Sequence, residues 1–123
     1  MMMNGSNLVA LHKGRFWQTE YGLKMDIGAF VTGLEYTTGK EVTVLGKPTK
    51  EFFMMAIDGL NIPIENIVMV GDDINNDING AQKIGMYGIL VKTGKYRQDY
   101  INSSGVKPDL IIESVKEIKN IWS

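Results

Sequence analysis

The chain has 123 residues, of which 44% are hydrophobic and 22% charged, with a formal net charge of −1. This length fits one small hydrophobic core, and the balanced charge argues against a nucleic-acid-binding domain, which needs a clustered basic excess. The lack of cysteine excludes disulfides and cysteine-ligated zinc, and the one histidine, His12, excludes a multi-histidine metal site within one chain. We find no signal peptide and no apolar run long enough to span a membrane, so we expect a cytoplasmic protein that binds no membrane.

The first part of the chain, residues 1–41, has the pattern of short strands followed by one helix. Residues 8–11 form a short apolar run, and residues 15–24 alternate as a strand, a turn at Gly22 and a second strand. Apolar residues then recur at helical spacing up to Gly39, which ends the predicted helix. These apolar residues are Ile27, Phe30, Val31 and Leu34.

The second part, residues 42–123, alternates apolar strands with helices. Residues 42–45, 67–70, 88–91 and 110–112 are apolar runs typical of buried strands. Strands that are apolar throughout and alternate with helices predict an α/β fold, with a Rossmann-like parallel sheet covered on both faces. The predicted helices have the apolar positions Phe52, Phe53, Ala56, Ile57 and Leu60 after a cap at Thr49, then Ile78, Ala81 and Ile84 before Gly85, and finally Val115, Ile118 and Trp122.

Two of these predicted strands run into polar loops. Residues 42–45 lead into the sequence GKP at 46–48, and residues 67–70 lead into GDDINND at 71–77. In a parallel α/β sheet, ligands bind at the carboxyl ends of the strands. We therefore expect both loops to open on the same edge of the sheet.

The second of these loops places three carboxylates within six residues, from Asp72 to Asp77. Like charges about 4 Å apart repel by roughly 4 kcal/mol at an effective dielectric of 20, so such a cluster needs a cation or protonation. Oxygen ligands without histidine or cysteine suit Mg²⁺, and Lys47 can hold a phosphoryl oxygen. Gly46 and Gly71 allow the backbone to come close to a ligand.

Other interpretations of the same residues stay open at this point. Asn and Asp are favoured helix caps, and a single lysine such as Lys47 is more often a solvated surface residue than a ligand. A calcium loop numbered from Asp73 is ruled out, because its sixth position is Ile78 instead of glycine and its twelfth is Ile84 instead of glutamate.

The order of these motifs resembles motifs III and IV of the haloacid dehalogenase (HAD) superfamily: Lys47 in Gly-Lys-Pro, an apolar helix, and Gly-Asp-Asp-x-x-x-Asp after a strand. Residues 29–39, 46–53, 68–85 and 88–97 are similar to one capped branch, subfamily IIA. That branch holds phospholysine phosphohistidine inorganic pyrophosphate phosphatase and the haloacid dehalogenase-like hydrolase domain-containing proteins. The resemblance implies that residues 1–41 are the C-terminal part of a cap and residues 42–123 the C-terminal part of a hydrolase core.

The resemblance also implies a role for each matching residue. Lys47 would bind the substrate phosphate and steady a phospho-aspartate, Asp72 would be the ligand of Mg²⁺, and Asp77 would orient metal-bound water or Lys47. Asp73, Asn75 and Gly71 would surround these groups. The complete enzyme would hydrolyse a phosphorylated small molecule or a phospho-amino acid.

One departure from the family concerns the covalent chemistry. The sequence contains no Asp-x-Asp, whereas the family uses an Asp-x-Asp-Gly motif for its nucleophile and its general acid; Asp26 is a single acid in the cap-like part. We therefore expect the C-terminal half of a longer phosphatase, inactive by itself. The alternative is a non-catalytic magnesium-binding or self-associating module, because a missing central strand beside residues 67–70 would leave an open apolar edge. A receiver domain of a two-component response system is a third, weaker alternative. In such domains the lysine follows the acidic residues, whereas here Lys47 precedes them.

Overall fold

Seven strands and five α-helices alternate along residues 2–121, the part of the chain that the computed structural model describes. The strands are β1 (Val9–Ala10), β2 (Phe16–Thr19), β3 (Gly22–Met25), β4 (Thr43–Val44), β5 (Val68–Gly71), β6 (Tyr87–Val91) and β7 (Leu110–Ile112). The α-helices are α1 (Ile27–Thr38), α2 (Lys50–Ile57), α3 (Gly80–Gln82), α4 (Gln98–Ser104) and α5 (Ile118–Ile121). Short 3-10 turns lie at Met2–Asn4, Ile64–Asn66 and Val115–Glu117, and a π-helical turn lies at Ile74–Asn79.

The described strands form three sheets. β5, β6 and β7 lie side by side and parallel in that order, so β5 is an edge strand of this sheet. β1 and β4 form a separate parallel pair, and β2 and β3 form an antiparallel hairpin. The prediction of an α/β fold with parallel strands is therefore confirmed. The parallel strands lie in two sheets, β1 with β4 and β5 with β6 and β7.

The three-stranded sheet is buried on both faces through its middle strand. Ile89 and Leu90 are fully buried, and successive side chains of a strand point to opposite faces. Ile89 packs with Val91 and Ile112, whereas Leu90 packs in a different cluster, whose other buried members are Ile74, Ile78 and Ile101. This two-sided burial explains why the sequence of β6 is apolar throughout.

The strand predicted at residues 42–45 is shorter and less buried than expected. β4 covers Thr43–Val44 and pairs with β1, and the Leu45 side chain after it is 56% exposed. The prediction of a buried strand therefore holds for Val42, which is buried, and is wrong for Leu45, because few elements pack against this two-stranded sheet. Its small core consists of Ala10, Val31 and Val42.

Glu35 connects α1 to the segment that enters β4. Its side chain accepts a hydrogen bond from the backbone N–H of Val42 at 3.0 Å and forms an ion pair with Lys13. The Lys13 ammonium, followed by the Val42 N–H, holds the pKa of Glu35 below its ordinary value. These contacts join residues on both sides of the boundary at 41/42, which itself stays a prediction.

The helix predicted around Ile78 begins as a wider turn. The carbonyl oxygen of Asp73 accepts hydrogen bonds from the N–H of Asp77 at 2.9 Å and of Ile78 at 3.2 Å, the second of which spans five residues as in a π-helix. The chain then continues into the single turn of α3. Periodicity predicts the helical character of this segment, and the π-helical turn depends on the contacts of Asp73.

α4 has no counterpart among the predicted elements, because its sequence QDYINSS contains just two apolar residues, Tyr100 and Ile101. Its Ile101 is buried in the same cluster as Leu90, so this helix packs on the core through one side chain. Of the last predicted helix, Val115 and Ile118 lie in the final 3-10 turn and in α5, and Trp122 lies outside the described residues. None of the described helices is both long and apolar enough to cross a membrane.

Two helical glycines provide a test of this packing. A Cβ on Gly80 would lie 2.6 Å from Cε2 of the buried Phe53 and 2.9 Å from Cβ of Pro48, so Gly80→Ala should cost about 1–3 kcal/mol of unfolding free energy. A Cβ on Gly33, in exposed α1, meets nothing within 4 Å, so Gly33→Ala should stabilise by about 0.5–1 kcal/mol. Urea unfolding followed by circular dichroism measures both, and a neutral Gly80→Ala would contradict the packing of Phe53 on α3.

Candidate functional site

A cleft of about 300 Å³ lies beside the carboxyl ends of strands from both parallel sheets. Residues that follow β1, β4, β5 and β6 contribute to its lining, as expected for ligand sites in parallel α/β sheets. The lining residues are Leu11, His12, Gly14, Asp26, Gly46, Lys47, Phe52, Asp72, Asp73, Asn76, Asp77 and Lys95. The loops after β4 and β5 therefore open on one cleft, as predicted, although these two strands belong to different sheets and not to the single sheet that was expected.

Asp77 is the buried acid of the cleft, with 3% of its surface exposed. Its Oδ1 accepts a hydrogen bond from the Lys47 ammonium, and its Oδ2 accepts one from the backbone N–H of Asp73 at 3.2 Å. Gly71 makes room for this carboxylate, since a Cβ there would lie 2.3 Å from Asp77 Oδ2. A buried carboxylate needs a paired charge and hydrogen bonds, so Asp77 fixes the position of Lys47.

Asp73 stabilises the start of the turn that carries Asp77. Its Oδ1 accepts hydrogen bonds from the N–H groups of Asn75 at 3.1 Å and Asn76 at 2.9 Å. Its Oδ2 accepts from Asn76 Nδ2 at 3.0 Å and forms an ion pair with Lys95 Nζ at 3.3 Å. The alternative that this loop is a helix cap is thus correct for Asp73, which lines the cleft at the same time.

Asp72 differs from the other two acids because one of its oxygens is left without a donor. Its Oδ2 accepts a hydrogen bond from the backbone N–H of Lys95 at 2.9 Å, and within residues 2–121 no protein group donates to its Oδ1. Mg²⁺ typically takes one or two protein carboxylates and completes its shell with water and phosphate oxygens. No three His, Cys, Asp or Glu side chains of this part of the chain are arranged to hold a metal ion. The residues present therefore fit Mg²⁺ at Asp72 and supply only part of its coordination.

Lysines compensate much of the repulsion expected among the three acids. Lys47 pairs with Asp77 and Lys95 pairs with Asp73, so two of the three carboxylates have a cationic partner within the protein. Lys95 is absent from the residues predicted from sequence. The available signal was its place after β6, a third predicted strand that ends at the same edge.

The two asparagines of the loop lie in different surroundings. Asn76 lines the cleft, whereas Asn75, which was predicted to surround the site, donates a hydrogen bond from Nδ2 to the hydroxyl of Tyr100 at 2.6 Å. Asn75 therefore connects the loop to α4. On the other side of the cleft, His12 Nδ1 accepts a hydrogen bond from the N–H of Gly14 at 3.2 Å, and Asp26 caps α1 through the N–H of Ile27 at 2.7 Å.

Comparison with known proteins supports the resemblance drawn from these motifs. A family model described as HAD-hydrolase-like matches residues 44–118. Haloacid dehalogenase-like hydrolase domain-containing protein 2 of Homo sapiens is 46% identical over 114 residues, which amount to 93% of this chain and 44% of that protein. The chain thus spans less than half the length of this relative.

Solved structures agree with this similarity. A p-nitrophenyl phosphatase from Archaeoglobus fulgidus has a TM-score of 0.83 and 28% identity, covering 98% of this chain and 48% of its own. A glycerol phosphate phosphatase from Mycobacterium tuberculosis, in complex with magnesium, has a TM-score of 0.78 and 25% identity, covering 95% and 36% respectively. These structures confirm the predicted fold class. Since the family model matches more than half of the chain and the fold agrees, the chain belongs to the HAD-hydrolase-like family.

Proposed function

We propose that this chain forms the magnesium- and phosphate-binding part of a HAD-type phosphatase, which in its complete form hydrolyses a phosphoryl group through a phospho-aspartate. The observation that supports the proposal is the pairing of Lys47 with the buried Asp77, next to Asp72, in the cleft lined by residues that follow β1, β4, β5 and β6. The proposed substrate of the complete enzyme is a phosphorylated small molecule or a phospho-amino acid.

Each residue of this group has a distinct proposed role. Lys47 donates one hydrogen bond to Asp77 and is partly exposed in the cleft, so its remaining N–H groups can bind a phosphate oxygen. Asp72 would hold Mg²⁺, and Asp77 would keep the Lys47 ammonium in place. Positive charge around the transferred phosphoryl group is most of what a protein contributes to this type of reaction.

The covalent step needs groups that this sequence does not contain. Its residues include no Asp-x-Asp-Gly motif to supply the nucleophile and the general acid. Binding of the cation and of phosphate depends on Asp72 and Lys47, whereas turnover depends on a nucleophile. We therefore propose that the chain binds these ligands and does not turn over a phosphate ester by itself.

Magnesium binding by the chain tests the role of Asp72. We expect Asp72→Asn to weaken Mg²⁺ binding at least about tenfold, because even hydrogen-bonding partners of metal ligands contribute 10–100-fold. The asparagine keeps an oxygen that can accept the Lys95 N–H, so the loop should stay folded. Isothermal titration calorimetry measures the affinity. Asp58→Asn, at the exposed acid that follows α2, is the control with the same change in charge, and equal affinities of the two variants would contradict the assignment.

Hydrolysis of p-nitrophenyl phosphate tests the proposed inactivity. We expect no turnover above the buffer rate with or without Mg²⁺, because the sequence lacks the nucleophile motif. The p-nitrophenyl phosphatase from Archaeoglobus fulgidus serves as the positive control in the same assay. Magnesium-dependent hydrolysis by the chain that disappears in Asp72→Ala would show that it is an enzyme by itself.

Self-association is a second candidate function, favoured by two observations. β5 is an edge strand of its sheet, and an open edge invites pairing with another chain. In addition, Leu45, Phe52 and Met55 form an exposed apolar surface, in which the Met55 side chain is 80% exposed. Apolar surface of this kind commonly marks an interaction site.

Sedimentation velocity over a range of concentrations tests this second candidate. If a second copy covers the apolar surface, the chain should form dimers as concentration rises, and Met55→Lys should shift it towards monomer because a charge would be buried. Tyr36→Lys is the control. Tyr36 is exposed on α1, outside this apolar surface, so the substitution should leave the dimer unchanged. A chain that stays monomeric at high concentration would exclude self-association.

A further inference from the structure

The loop between β6 and α4 brings a second lysine to the cleft, and its backbone is held against the acidic loop. Gly94 has a positive φ of 65°, and a Cβ there would lie 2.0 Å from Asp72 Oδ2, so a side chain would both strain the backbone and collide with the acid. The next residue, Lys95, donates its N–H to the same oxygen at 2.9 Å. The position of Lys95 relative to Asp72 is therefore fixed by the backbone.

The Lys95 side chain turns towards the acids. Its Nζ lies 3.3 Å from Asp73 Oδ2 and 5.9 Å from the centre of the Phe16 ring, and 24% of the side chain is exposed. An ammonium group carries three donors, and within the described residues Lys95 Nζ donates one hydrogen bond, to Asp73. Because the residue also lines the cleft, its remaining donors are available to an anion there.

The Lys95 ammonium, which can attract an anion, opposes the binding of a cation nearby. Asp73 Oδ2 accepts from both Asn76 Nδ2 and Lys95 Nζ, so a metal ion that approached this oxygen would compete with both donors. A positive charge also repels a divalent cation bound at the neighbouring Asp72. The geometry thus gives one side chain two opposite electrostatic effects in one cleft.

We propose that Lys95 is a second phosphate-binding residue beside Lys47, and that by occupying Asp73 it weakens magnesium binding at Asp72. The proposal rests on the proposed function of the cleft. It adds Lys95 as a residue that affects the affinity for phosphate and the affinity for Mg²⁺ in opposite directions. Removing the charge should lower the affinity for phosphate and raise the affinity for Mg²⁺. A purely structural role would lower both affinities, so the opposite signs are diagnostic.

The test uses the full chain with Mg²⁺ alone, titrated by calorimetry, and with inorganic phosphate alone, followed by ³¹P NMR. For Lys95→Met we expect phosphate binding to weaken and Mg²⁺ binding to tighten, each by about fivefold, as for a partly exposed charge contact. Lys95→Arg keeps the charge and should keep both affinities within about twofold of the original. Thermal unfolding of each variant checks that it is folded.

Lys92→Met is the matched control, since Lys92 lies in the same loop and makes the same kinds of contact away from the cleft. Its Nζ pairs with Glu113 at 2.6 Å and lies 6.0 Å from the Tyr96 ring centre. We expect neither affinity to change. Equal shifts in Lys92→Met and Lys95→Met would show an effect of net charge and overturn the proposal.

The remaining outcomes separate this inference from the proposed function. If the unmodified chain binds both ligands and Lys95→Met changes neither affinity or weakens both, only the role of Lys95 is overturned. If the unmodified chain binds neither Mg²⁺ nor phosphate, the proposed function of the cleft is wrong and the inference falls with it.

Discussion

The buried carboxylate of Asp77 is the constraint on which the cleft depends. Moving a carboxylate out of water costs several kcal/mol unless a partner charge and hydrogen bonds replace its hydration. The Lys47 ammonium and the N–H of Asp73 replace it here. Because these two groups lie on the loops after β4 and β5, the contact that stabilises Asp77 also joins the two-stranded sheet to the three-stranded sheet. The cleft lies at this junction, so its geometry follows from the need to neutralise one buried charge.

The three acids of the loop lie within six residues of one another but differ in what they can bind. Both oxygens of Asp77 are occupied, and both oxygens of Asp73 accept hydrogen bonds from the loop or from Lys95. Asp72 alone among the three keeps an oxygen without a donor inside the described part of the chain. A metal ion therefore has least competition at Asp72. Family resemblance also predicts Asp72 as the metal ligand, and the hydrogen-bonding pattern gives a separate physical reason for that prediction.

Strand ends were predictable from the sequence, and contacts between loops were not. Apolar runs mark the strands, and the rule that ligand sites lie at the carboxyl ends of parallel strands correctly predicts that Lys47 lies near the acids, although β4 and β5 belong to different sheets. The same rule did not predict Lys95, because the loop after β6 contains no acid. The contact of Lys95 with Asp73 is visible only in the structure. Tertiary packing also decides the helix that contains Ile101 and the exposure of Leu45. An apolar run predicts a strand, but it does not say how many neighbours will cover it.

The contacts that organise this cleft need no catalytic nucleophile. Lys47, Asp72 and Lys95 are held by ion pairs and backbone hydrogen bonds that all lie within residues 2–121. Phosphoryl transfer relies mainly on positioning and on neutralising charge, and the covalent step is a separate requirement. A cleft built in this way can be ready for a cation and a phosphate whether or not a nucleophile is present. Binding of a cation and a phosphate therefore does not require turnover, so a lack of phosphatase activity would not argue against the proposed binding.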